Sequence, residues 1–119
     1  MTNRTTAILR QMRETIGWIE VNIEGLDRSG LAIDRRARQL VERNLEILSE
    51  GSSRIPRDLQ ATEPDVGWSA LASLGNVLRH EYQRIDPGHL WTLSTDELGP
   101  LSAALRRLEE RTQPASDGR

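Results

Sequence analysis

Apolar residues recur at helical spacing along most of the chain, and no segment alternates with period two for more than a few residues. Ile8, Met12, Ile16, Ile19 and Ile23 advance by four, four, three and four, which sets them in one stripe of a helix. Ile33, Ala37, Val41, Leu45 and Leu48 form a second stripe. Leu40 and Ile47 widen it, so that face is expected to be deeply buried or to meet two neighbours. Between the two, Gly25 and Gly30 signal a break or a short turn of helix. Gly51-Ser52-Ser53 and Pro56 end the second helix, and residues 54–66 read as a loop. Asp65 is placed to cap a third helix, which carries Leu71, Leu74, Val77 and Leu78 and runs to about Tyr82–Arg84. Asp86-Pro87 suits an N-cap and first helical position. Leu98, Leu101, Leu105 and Leu108 mark a fourth stripe within Thr95–Glu110, which Pro100 should kink or restart. The pattern predicts an all-α, up-down bundle of four main helices plus one or two short ones. One domain covers 1–112, and 113–119 is a frayed polar tail.

Length and composition narrow the chemistry. At 13.4 kDa the chain would bury about two-thirds of its extended surface, enough for a core without staples. It has no cysteine, which removes disulfides, Cys-zinc sites, Fe–S clusters and thiol catalysis. The longest uncharged stretch, Val66–Leu78, is too short to span a bilayer. Arg4, Arg10 and Arg13 precede any apolar run, so no signal peptide is visible and the cytoplasm is the expected compartment. All 16 cations are Arg, against 18 acidic residues, and the two signs are interspersed. No basic face can be read from that balance. Trp18, Trp68, Trp91 and Tyr82 are the only aromatics, too few for a base-stacking sheet.

Several motifs are absent. There is no phosphate-cradling GxxxxGK[ST] or GxGxxG loop and no GxSxG elbow. Neither His80 nor His89 follows a glutamate by three residues, as a di-iron bundle requires, and two histidines without cysteine make a poor metal cage. No metal and no cofactor is expected. His89 reads as a surface histidine, Trp68 and Trp91 as core or dimer-interface anchors, and Arg43 as half of an ion pair. Asp96-Glu97 and Glu109-Glu110 read as solvated helix-end charges.

The segment from Trp68 to Trp91 carries more. Its pattern N-x-L-x-H-E-Y-x-x-I-D-x-x-x-L-W is formed by Asn76, Leu78, His80, Glu81, Tyr82, Ile85, Asp86, Leu90 and Trp91. Upstream, "VERNLEILSEGSSRIP" precedes Trp68 at the head of the motif helix. In both segments the sequence resembles the HEPN superfamily, and within it the small HepT-like toxins, from roughly residue 7 to 110. The resemblance implies a homodimer whose two motif helices line a shared cleft, with RNA as substrate. It implies metal-independent cleavage in which His80 acts on the RNA 2′-hydroxyl, a sensible task for an imidazole near neutral pH. Asn76, one turn earlier, can hydrogen-bond the ring and set its tautomer. The resemblance also implies a partner, a minimal nucleotidyltransferase (MNT) antitoxin that attaches AMP to Tyr82.

The sequence departs from the family pattern at one position. The family's motif arginine, taken to bind the scissile phosphate, falls on Gly75. Arg79 lies one turn later, rotated by about 40°, and a long side chain there could reach back toward the lost position. Three readings follow. The chain is an active ribonuclease using His80, Asn76 and Arg79; or a catalytically degenerate member that keeps its antitoxin and RNA contacts; or an unrelated helical interaction domain. Restoring the cation with Gly75→Arg is expected to raise cleavage if the second reading holds.

Overall fold

A computed structural model describes residues 3–80 and 86–112. The fold is all-α, and the four expected stripes become four long helices. Helix α1 spans Asn3–Ile23, α3 Arg35–Ser53, α5 Trp68–His80 and α7 Leu98–Thr112. Three short helices join them: α2 (Arg28–Ile33), α4 (Arg57–Gln60) and α6 (Pro87–Thr92). Helix α1 buries Leu9, Met12, Ile16 and Ile19 against α3 and α7. Helix α3 buries Val41, Leu45 and Leu48, and meets α1 on one side and α5 on the other. Each such leucine or isoleucine taken out of water contributes about 1.5–3 kcal/mol before entropy is set against it.

The connections differ from the pattern in ways that local chemistry explains. The break after α1 is a turn through Gly25, whose φ of 81° suits a residue without a Cβ. Gly30 then lies inside α2, because Asp27 caps that helix by accepting from the Gly30 N–H at 2.7 Å. Asp34 caps α3 in the same way, accepting from Ala37. Ile33 therefore ends α2 rather than opening α3, and it is 86% exposed. Leu40, also expected inside, is exposed, and Ile47 is half-buried.

The loop at 54–66 contains α4 and folds under Trp68. The Trp68 indole N–H donates to the carbonyls of Gln60 and Glu63, both at 3.1 Å. The first carbonyl accepted into α5 is that of Gly67, bonded by the Leu71 N–H, so Gly67 and not Asp65 is the cap. Asp86 caps α6 as expected, accepting from Gly88 with Pro87 in the first turn. The fourth helix does not restart at Pro100. It is continuous from Pro87 to Thr112 and widens into a π-turn at Leu93–Glu97. Pro100 has no N–H for the carbonyl of residue 96, and the wide turn lies where that bond is missing.

Candidate functional site on helix α5

Helix α5 lays its apolar side against α3 and leaves its other side open. Leu78 is buried, and Leu71 and Leu74 are half-buried. The opposite side carries Ser69, Ser73, Asn76 and His80 at steps of four, three and four, all exposed, with Arg79 beside them. The structure thus places the three expected site residues, Asn76, Arg79 and His80, on the outer side of the last two turns of α5. It does not join Asn76 to His80 by a hydrogen bond. Tyr82 and Glu81 lie outside the described residues.

Gly75 is buried where α5 packs against Ser49 of α3. The Ser49 hydroxyl donates to the Ala72 carbonyl at 2.9 Å and accepts from the Gly75 N–H at 2.9 Å. A Cβ added at residue 75 would stand 2.7 Å from Ser49 Oγ, 3.1 Å from Ser49 Cβ and 3.2 Å from Arg79 Nη1. The first of these is closer than real Cβ contacts come, so any side chain here must push Ser49 aside. The expectation that Gly75→Arg would simply restore a cation is corrected on this point. The third distance shows that the Arg79 side chain does fold back over Gly75.

Charge elsewhere serves the frame. Glu63 is 7% exposed, and Arg107 and Arg111 clamp its carboxylate at 2.7 and 2.6 Å, tying the α4–α5 connection to α7. The two guanidinium groups hold the Glu63 carboxyl down at about 2, their hydrogen bonds outweighing the cost of its burial. Glu109, expected in solvent, is 6% exposed and paired with Arg13, which joins α7 to α1. Arg43 pairs with Glu46 at 3.9 Å, as expected. Helical spacing gave no signal for the Glu63 and Glu109 contacts, because their partners lie far away in sequence. Burial raises the Glu42 carboxyl on α3 above its ordinary value, Arg38 opposing the shift.

Trp68 and Trp91 are partly buried against the core, and His89 is exposed. His89 rims an apolar groove of about 270 Å³ between α5 and the α6–α7 arm, floored by Leu45, Leu71, Leu74 and Leu101. Among the described residues, no three His, Asp or Glu side chains converge in a way that could hold a metal ion. No helix among them is long and apolar enough to cross a membrane.

The all-helical bundle is the architecture expected of a HEPN-type chain, and α5 carries Asn76, Arg79 and His80 exposed near its end. Comparison with known proteins agrees: the family model described as ribonuclease HepT-like matches residues 12–108, and the chain belongs to that family. It is 26% identical over 102 residues to a Thermococcus cleftensis protein named "Probable ribonuclease HepT", covering 86% of this chain and 93% of that one. It is 34% identical over 65 residues to the Methanocaldococcus jannaschii protein named "Putative RNase MJ1380", covering 55% and 60% of the two chains. No solved structure matches it.

Proposed function

We propose that the protein is the toxin of a toxin–antitoxin pair, a metal-independent endoribonuclease that acts as a homodimer in the cytoplasm. The observation that carries this reading is His80, exposed near the end of α5 beside Asn76 and Arg79, in a chain of a ribonuclease family. His80 takes the proton of an RNA 2′-hydroxyl, and the 2′ oxygen attacks the adjacent phosphorus. The bond from phosphorus to the 5′ oxygen breaks, and that oxygen takes a proton from water, leaving a 2′,3′-cyclic phosphate. Asn76 orients the imidazole, and Arg79 neutralises the charge that builds on the phosphate. An MNT-type nucleotidyltransferase restrains the toxin by placing AMP on Tyr82.

The test is cleavage of a structured RNA in EDTA, with His80→Ala alongside. The parent is expected to cut, and the variant to lose about 10²–10⁴-fold. A second reading, a degenerate RNA- and antitoxin-binding dimer, draws on Gly75 standing at the family's arginine position. It replaces the first if the parent cuts no faster than His80→Ala. Intact mass after co-expression with a neighbouring nucleotidyltransferase tests the regulation: a gain of one adenylate, lost in Tyr82→Phe, is expected.

A further inference from the structure

We propose that Gly75 and Ser49 build a seat for the Arg79 guanidinium, so that the cation gripping the scissile phosphodiester is transposed one turn along α5 rather than lost. The inference rests on the ribonuclease reading for the identity of the anion and on the geometry for the rest. Ser49 is 3% exposed and bonds the α5 backbone at both Ala72 and Gly75. Those two bonds pin α3 where a Cβ at residue 75 would stand, only 2.7 Å from Ser49 Oγ. Glycine is the residue that fits. The space left free is the space the Arg79 side chain uses, with Nη1 3.2 Å from the vacant Cβ position.

The guanidinium remains open to an anion. Every ion pair among the described residues engages other arginines, and Arg79 is exposed. Its planar fork offers parallel donors to two phosphate oxygens. Arg79 precedes His80 in sequence and lies within one turn of Asn76 on α5. Ser49 and Gly75 are positioning residues here; Arg79 is the one that touches substrate.

The experiment separates the seat from the chemistry by using a ligand that cannot be cut. Binding of a short single-stranded DNA oligonucleotide is followed by fluorescence anisotropy across a salt series. The series is run for the parent, for Arg79→Ala, for the distant control Arg43→Ala and for the triple variant Gly75→Arg/Ser49→Gly/Arg79→Ala. Arg79→Ala is expected to weaken binding about tenfold. It should also flatten the log–log salt dependence by about 0.7, the loss of one phosphate contact, with an unchanged melting temperature. Arg43→Ala should leave the slope alone. The triple variant removes the Ser49 obstacle and should recover the slope. An unchanged slope in Arg79→Ala, or an equal loss in Arg43→Ala, overturns the proposal. A folded triple variant with no recovery also overturns it. Should that variant not fold, the Arg79→Ala slope decides alone. A parent that binds DNA through Arg79 yet never cuts RNA would retire the nuclease reading and leave the seat standing. Cutting at the parental rate by Arg79→Ala would do the reverse.

Discussion

Helix α3 packs most extensively on α1 and α5, and each of these contacts has a glycine with no room for a Cβ. Against α1 the glycine is Gly51, and a Cβ there would press on the Met12 side chain at 2.8 Å. Against α5 it is Gly75, and the obstacle is the Ser49 hydroxyl at 2.7 Å. The distances are nearly equal, but the chemistry is not. Met12 is a flexible thioether in an apolar core and can change rotamer. Ser49 is held by two hydrogen bonds to the α5 backbone and cannot move without breaking them. The α1–α3–α7 side is packed for stability and stapled by Arg13–Glu109. The α3–α5 side fixes a single helix in register while leaving its polar face open. Stability and candidate function are therefore carried by opposite faces of one helix pair.

The comparison can be broken most forcefully in the shared core. Leu48→Ala removes a fully buried side chain and should cost about 2–5 kcal/mol, read by denaturant unfolding. Next come the two glycines. Gly75→Ala should cost about 1–3 kcal/mol even after the helix propensity gained, and Gly75→Arg alone should cost at least as much without raising cleavage. Gly51→Ala should cost less than Gly75→Ala, because Met12 can yield and alanine favours the helix by about 1 kcal/mol. Equal costs would remove the distinction between the two contacts.

Acid offers a milder probe. The Glu63 carboxyl titrates at about 2 in the folded protein against an ordinary 4.5. Its contribution is complete above pH 4.5 and is lost as the pH falls from there toward 2. Melting temperature should drop across that window, and Glu63→Gln should flatten the drop while lowering stability at neutral pH. Half-exposed Arg107 and Arg111 make the effect salt-sensitive. The smallest expected change is that of His80→Ala or Asn76→Ala on stability, within about 0.5 kcal/mol, since both side chains stand in solvent.

Periodicity made the four long helices legible, because burial of one stripe is what selects them. The caps at Asp86 and the end of α3 were legible too, being local chemistry. Ile33 was misplaced because its spacing fits the α3 stripe, whereas Asp34 starts α3 just after it and leaves Ile33 on the outer side of α2. Glu63 and Glu109 were invisible because a buried carboxylate is chosen by partners dozens of residues away. The pattern from Asn76 to Trp91 singled out the candidate site residues through the family resemblance, but not that Gly75 is closed off by Ser49. That fact belongs to the approach of two helices, and spacing along one helix cannot report it.

The central claim is that His80 serves chemistry on a 2′-hydroxyl. The most direct measurement uses an RNA cut at a defined bond in EDTA, compared with the same strand carrying one 2′-deoxy sugar at that bond. The account predicts a 2′,3′-cyclic phosphate end from the first and no cut at the substituted bond in the second, with neither cut by His80→Ala. Equal cutting of both strands, or cutting that survives His80→Ala, would contradict it.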